Sequence, residues 1–219
     1  MARFPRLYVD SADVASVAPL LEDDLVSGVT TNPTILERAG RSVADIESLY
    51  DGWVDAGARE VFFQAWGVDA AGLLATAQRI AGLGPLAVVK VPATRIGFAV
   101  AARLTSDGVP VLLTAVYSAG QALAAASLGA RYIAPYLGRL DDAGHDGTAE
   151  IARMTALLAD APTEVLAASL RSPEAIVGLA AVGVRCFTAA PAVLDALFVS
   201  DASEQAAADF EAAVGRTTA

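Results

Sequence analysis

Apolar residues along this chain gather into eight short runs: LYVD (7–10), SGVTT (27–31), EVFFQAW (60–66), AVVKVP (87–92), PVLLTAVY (110–117), RYIAPY (131–136), EVLAASL (164–170) and RCFTAA (185–190). Their length suits strands, and the pattern between them is helical. Helix punctuation falls where this reading needs it, with Pro33 at a first helical position and Gly40 closing, and Pro173 after Ser172 with Gly183 closing. One helix is expected after every strand. Strands alternating with helices imply parallel pairing. Eight such units in 219 residues suit a single closed (β/α)8 TIM barrel, although a doubly wound open sheet is built from the same units. With no linker or low-complexity segment, residues 1–219 are expected to form one domain. The end of the chain, about 200–219, reads as an amphipathic helix with a short tail that either caps the barrel or reaches a neighbouring subunit.

The polar residues within the runs favour the barrel. Asp10, Thr30 and Thr31, Gln64, Lys90, Thr114, Tyr136 and Ser169 each come at or near the end of a mostly apolar run, from seven different strands. A barrel builds its active face from those strand ends.

Composition narrows the function classes. An apolar fraction of 55% with 18% charged residues is what strands covered on both faces by a helical shell require. The longest uncharged stretch, Val109 to Ala130, has membrane-spanning length, but Pro110, Ser118, Gly120 and Gln121 break it into a strand and then a helix, so no membrane partner is expected. A net charge of −10 repels nucleic acid and anionic membrane surfaces. Cys186, the one cysteine, cannot form an intramolecular disulfide, and a cytoplasmic location and no metal are expected. The opening MARFPRLYVD reaches a carboxylate within ten residues and offers no signal-peptide apolar region.

Lys90, in LAVVKVPA, is the only lysine; the other 14 of the 15 basic residues are arginine. Apolar neighbours on both sides make this a costly place for an ammonium group, and desolvation lowers a lysine's pKa toward the neutral amine that attacks carbonyls. Arginine cannot form a Schiff base, so a chain that otherwise uses arginine for positive charge has kept lysine here for a different chemistry; the competing reading is a snorkelling or charge-paired lysine. Asn32, the only asparagine, precedes Pro33, where a helix N-cap competes with substrate contact. Asp10 faces the same competition at the start of a helical segment, with Ser11 and Asp13 as other caps. Arg139, with Ser169 and Arg171 on the next strand, are candidates for holding an anion, beside the helix start at Ser172 and Pro173. His145, in DDAGHDGTAE, reads as solvent-exposed, and Asp141 and Asp142 lack metal-ligand spacing.

The segments LYVDSADV, GVTTNPTIL, VVKVPAT, GVPVLLTAVYSAGQAL, ARYIAPYLGRLDD, VLAASLRSP and VGRTTA run in the order and spacing of a known family. The chain resembles the short-form transaldolases and, among them, the bacterial fructose-6-phosphate aldolases. The resemblance implies a (β/α)8 barrel in which Lys90 forms a Schiff base with a ketose whose donor part is a dihydroxyacetone unit. Asp10 and Asn32 would contact the substrate hydroxyls, with Thr30 and Ser169 nearby. Gln64, Thr114 and Tyr136 would hold the catalytic water or shuttle protons, and Arg139 and Arg171 would bind the sugar phosphate. No cofactor is implied, because the iminium does the work of the divalent cation in metal-dependent aldolases. The resemblance also implies a homo-oligomer, a pentamer or decamer, with the C-terminal helix at the subunit interface. Tyr136 stands where transaldolases of this group usually have phenylalanine, and Arg95 where the family commonly has an acidic residue. Free release of the donor, as in an aldolase, and its transfer to a second aldose, as in a transaldolase, both remain open. A non-catalytic sugar-phosphate-binding barrel is the remaining alternative.

Overall fold

The computed structural model describes residues 5–217. Eight strands, β1 (Arg6–Asp10), β2 (Gly28–Thr30), β3 (Glu60–Gln64), β4 (Ala87–Pro92), β5 (Val111–Val116), β6 (Tyr132–Pro135), β7 (Glu164–Leu170) and β8 (Cys186–Ala189), pair in parallel in chain order. β8 closes on β1, giving a (β/α)8 barrel and excluding the open sheet. The eight apolar runs of the sequence each supply one strand. The uncharged stretch from Val109 resolves into β5 and the following helix α6 (Ala119–Ser127), and no helix among the described residues is long and apolar enough to cross a membrane.

Side chains two apart in a strand share a face, so each strand sends alternate residues into the barrel. Tyr8, Phe62, Val88, Leu112, Tyr132, Leu166 and Cys186 fill its interior, while Val9, Val61, Phe63, Val89, Val91, Leu113, Ile133 and Phe187 pack outward against the helices. Asp10, Gln64, Lys90, Thr114 and Thr188 each stand two residues beyond an interior residue of their own strand. They therefore face inward, one layer higher. The same alternation carried the other way puts Arg6, Glu60 and Glu164 at the opposite end, where a polar network closes the barrel. Glu60 accepts from Tyr8 Oη at 2.5 Å and from Tyr132 Oη at 3.0 Å, and pairs with Arg131 at 2.7 Å. Arg6 donates to Tyr132 Oη at 2.9 Å and to Glu164 at 2.5 Å. Gly28 lets β2 lie against β3, since a Cβ there would sit 1.9 Å from the Glu60 carbonyl oxygen.

The helical shell is α1 (Val14–Glu22), α3 (Ile46–Asp55), α4 (Ala70–Ala81), α5 (Arg95–Ser106), α6, α8 (Gly147–Leu157), α9 (Pro173–Ala181) and α10 (Pro191–Phe198). Asn32, Asp69, Thr94, Ser118, Asp146 and Ser172 cap helices by accepting a hydrogen bond from the backbone N–H three residues on. The expectation of one helix per strand fails twice. After β2 comes the short α2 (Pro33–Arg38), and a 3-10 turn (Val43–Asp45) leads into α3. After β6 comes the short α7 (Leu137–Asp142) ahead of α8. In each case a glycine in the left-handed region, Gly40 at φ 65° or Gly144 at φ 79°, stops the first helix, and Ser42 or Asp146 caps the next within two residues. α11 (Asp201–Thr217) follows as expected and buries none of its residues, with Phe210 70% exposed; the last two residues of the expected tail lie outside the described residues.

Candidate active site

A cavity of about 320 Å³ opens at the C-terminal ends of the strands, and Lys90 stands in its floor. Lys90 is 5% exposed, held between β3 and β5. Its Nζ donates to the Thr31 carbonyl oxygen at 2.5 Å, across the barrel wall from β2. Burial pulls its pKa below the ordinary lysine value, and the nearby Asp10 carboxylate opposes that shift. Asp10 itself is pushed up by burial, against the pull of Lys90 and of a hydrogen bond from Thr30. Among the described residues the two make no ion pair within 4 Å, so the amine has a carboxylate close enough to feel but not to be locked by.

Asp10, Thr30 and Thr188 form a chain along one wall. Thr30 Oγ1 lies 2.6 Å from Asp10 Oδ1 and 2.6 Å from Thr188 Oγ1. This resolves the competition at the start of α1: Asp10 faces the cavity, while Asp13 stands at the N-cap and donates its backbone N–H to Ser11 Oγ. At Asn32 the cap is made, and it does not take the residue out of the cavity. Its Oδ1 accepts from Ile35 N at 3.0 Å as a cap, and the residue lines the cavity, so its amide NH2 is free to donate to a ligand. On the other wall Thr114 Oγ1 and Tyr136 Oη are 2.8 Å apart. Burial raises the Tyr136 phenol above its ordinary value, which keeps its proton in place at neutral pH. Tyr117 packs edge-on against the Tyr136 ring, at 6.1 Å between centroids.

Two strand irregularities shape this end of the barrel. Ala115 and Ser169 are left-handed at φ 57° and 58°, each where the register shifts, between Thr114 and Val116 on β5 and between Ala167 and Leu170 on β7. In a regular strand consecutive side chains point to opposite faces, yet Ala168 and Ser169 both line the cavity; the bulge is what turns Ser169 inward. A non-glycine residue in that conformation costs of order 1 kcal/mol.

Of the residues singled out from the sequence, Asp10, Thr30, Asn32, Lys90, Thr114, Tyr136, Arg139 and Ser169 line one cavity. Three stand apart from it, Thr31 because its hydroxyl donates to the Phe62 carbonyl oxygen at 3.1 Å. Gln64 is the register partner of Lys90 on β3 and is half-buried, but it is not part of the cavity wall. Arg171 lies outside because Asp142 holds it at the surface through two hydrogen bonds, of 2.8 and 2.5 Å. Arg95 opens α5, exposed and away from the cavity, and His145 is exposed as expected. Sequence reasoning missed Thr188, though RCFTAA carries the same polar-at-strand-end signal, and it missed Thr34 and Arg38 on α2. It also missed the Thr31 carbonyl, a backbone group with no sequence signal. No cluster of residues suited to a metal occurs among the described residues.

A closed parallel barrel with a row of polar groups at the C-terminal ends of its strands is the arrangement of (β/α)8-barrel enzymes. In fold the chain is similar to a thiamine phosphate pyrophosphorylase from Pyrococcus furiosus, at TM-score 0.62 and 18% identity over 86% of this chain and 87% of that one. It is also similar to a mandelate oxidase, at TM-score 0.60 and 18% identity over 87% of this chain and 65% of that one. These likenesses concern the fold alone. Sequence relatives go further. The chain is 36% identical over 214 residues to a probable transaldolase of Phenylobacterium zucineum, covering 97% of each, and 37% identical over 198 residues to one of Hyphomonas neptunium, covering 88% of each. Residues 7–218 match the transaldolase/fructose-6-phosphate aldolase family, and the chain belongs to it. It is an enzyme of the aldolase/transaldolase type, working in carbohydrate metabolism.

Proposed function

We propose that this enzyme cleaves and forms fructose 6-phosphate through a Schiff base on Lys90, with dihydroxyacetone as the donor and glyceraldehyde 3-phosphate as the aldehyde. The observation that carries this reading is the single buried lysine in the cavity floor, with its amine lowered by burial and Asp10 beside it. The neutral amine adds to the ketose C2 carbonyl, and the carbinolamine loses water to an iminium. Asp10, whose pKa burial raises and which shares the cavity with Lys90, takes and returns protons in these steps. Loss of the C4 hydroxyl proton breaks the C3–C4 bond. The aldehyde leaves, and the electron pair passes into an enamine on Lys90. Protonation of the enamine at C3 and hydrolysis then free dihydroxyacetone and regenerate the amine. Tyr136, protonated and hydrogen-bonded to Thr114, supplies the proton through a bound water that Gln64 helps hold. Asn32 and Thr30 face the sugar hydroxyls, and Ser169 and Arg139 face its phosphate end; Arg171, tied to Asp142, is left out of the assignment. The reaction needs no cofactor.

The second reading is transaldolase, in which the enamine waits for an aldose acceptor, and the names of the relatives favour it. Fructose 6-phosphate given without an acceptor separates the two. Sustained release of glyceraldehyde 3-phosphate supports the aldolase, and turnover only after erythrose 4-phosphate is added supports the transferase. A homo-oligomer, a pentamer or decamer with the exposed α11 at its interface, and a cytoplasmic setting in which Cys186 stays reduced, complete the proposal.

A further inference from the structure

Thr188 carries a buried hydroxyl that the chemistry described above does not use. It stands on β8 two residues beyond Cys186, 3% exposed, above an interior layer of apolar and aromatic side chains. Valine has the same shape and suits a strand as well, so what distinguishes threonine here is the bond its hydroxyl makes. Among the described residues its side chain has one partner, Thr30 Oγ1 at 2.6 Å, and Thr30 Oγ1 in turn lies 2.6 Å from Asp10 Oδ1. In the ring β1 lies between β8 and β2, so the three groups make a hydrogen-bond chain across the inner face of β1.

The direction of that chain follows from its hydrogens. Each threonine hydroxyl has one, and an ionised carboxylate only accepts. Thr30 gives its hydrogen to Asp10 Oδ1, so the hydrogen between the two threonines belongs to Thr188. The reverse order would leave the Thr188 hydrogen buried without an acceptor, which is costly, so Thr30 donates to Oδ1 whether Asp10 is ionised or neutral. Oδ2 accepts no hydrogen bond among the described residues, and the proton of a neutral Asp10 is therefore confined to it. The end of β2 thus holds both reacting partners. Thr30 holds Asp10 through its side chain, and the next residue, Thr31, accepts from Lys90 Nζ through its carbonyl oxygen at 2.5 Å.

We infer that Thr188 is a positioning residue: by donating to Thr30 it commits the Thr30 hydroxyl to Asp10 Oδ1 and so keeps the exchangeable proton of Asp10 on Oδ2, toward the cavity. This rests on the reading of Lys90 as the nucleophile and Asp10 as its proton partner. The step served is loss of water from the carbinolamine. Oδ2 gives its proton to the C2 hydroxyl, the C–O bond breaks to release water, and the nitrogen lone pair forms the C=N bond of the iminium. Without the Thr188 hydroxyl, Thr30 loses the donor that polarises and orients it, and its own hydroxyl is free to turn to the cavity. Oδ1 is then released, the proton is shared between two oxygens, and the carboxyl loses its fixed tilt.

The test is the rate at which the borohydride-trapped Lys90 adduct forms with dihydroxyacetone, at a pH where the amine is neutral. Thr188→Val is expected to lower the maximal rate about three- to thirty-fold, with the half-saturating concentration unchanged. Thr188→Ala, which also removes the hydroxyl, should fall with it, and Thr188→Ser should recover most of the rate. In an Asp10→Asn background, itself slow, Thr188→Val should have no further effect. The inference is overturned if both hydroxyl-free variants keep the full rate, or if they change only the half-saturating concentration. It is equally overturned if serine is as slow as valine, or if valine slows Asp10→Asn by the same factor as the unsubstituted enzyme. An Asp10→Asn variant at full rate overturns the role of Asp10 and the inference with it while leaving Lys90 standing. Absence of any Lys90 adduct in the unsubstituted enzyme overturns the Schiff-base reading itself.

Discussion

Replacing Tyr136 with phenylalanine removes one hydroxyl and leaves the ring in place against Tyr117, so its consequences separate structure from chemistry. In the folded state the change costs the 2.8 Å hydrogen bond to Thr114 and leaves the Thr114 hydroxyl, 1% exposed, without that partner. A lost buried hydrogen bond of this kind is worth about 1–3 kcal/mol, a shift of a few degrees in Tm that leaves the enzyme folded at 25 °C. The chemical effect is larger and selective. If the Tyr136 proton reaches the enamine through water, donor release slows by about 10²–10⁴-fold, the usual worth of a positioned acid. Formation of the Schiff base and departure of the aldehyde are affected far less. Tyr136→Phe should therefore lose steady aldolase turnover of fructose 6-phosphate while still giving a burst of glyceraldehyde 3-phosphate of about one per active site. Adding erythrose 4-phosphate should restore turnover by taking the enamine directly. The assay is a rapid-quench time course with and without that acceptor. Steady acceptor-free cleavage at the unsubstituted rate would refute the role given to Tyr136, and loss of the burst itself would place the residue in an earlier step.

Three further outcomes follow from the geometry. Schiff-base formation with dihydroxyacetone should rise with pH and level off below the ordinary lysine value of 10.5, because burial favours the neutral amine. Asp10→Asn removes the charge that opposes this shift and should move the rising limb to still lower pH; a limb that moves up or stays fixed contradicts the coupling. Tyr132→Phe removes the hydroxyl that donates to Glu60 at 3.0 Å and accepts from Arg6 at 2.9 Å, at the closed end of the barrel. Hydrogen bonds to charged partners of this kind predict a loss of about 1.5–3 kcal/mol in urea unfolding with unchanged kcat per folded molecule, and a variant of unaltered stability counts against the network as a structural element. Deleting the chain beyond Ser200, which removes the exposed α11, should shift the assembly to a smaller species in size-exclusion chromatography with light scattering, and an unchanged mass rules out that helix as an interface.

The barrel was legible because its strands carry a simple signal, short apolar runs with polar residues at their ends, and every one of the eight became a strand. The burial of Lys90 was legible for a physical reason, since its apolar neighbours in VVKVP leave it no water, and an ammonium group so placed is pushed toward the neutral amine. What the sequence concealed depends on groups far apart in the chain. The Arg171–Asp142 pair spans 29 residues, and nothing in the local sequence announces that the two side chains meet. The bulge that brings Ser169 inward is made by ordinary residues in a left-handed conformation, without the glycine that would have marked it. Arg38 was hidden differently. The Gly40 and Ser42 signals that end α2 were present, but only the closed ring of strands shows that α2 lies over the mouth opposite α7. The polar plug of Arg6, Glu60 and Glu164 was equally open to the period-2 pattern, read toward the strand starts instead of their ends.

The central claim is that Lys90 is the nucleophile, and reductive trapping tests it most directly. Incubation with dihydroxyacetone and borohydride, followed by peptide mass analysis, should add one reduced three-carbon unit to the peptide containing Lys90 and abolish activity in proportion. Lys90→Met should give no adduct and no turnover. An unmodified Lys90 peptide from active enzyme, or a Lys90→Met variant that keeps its activity, would contradict the account.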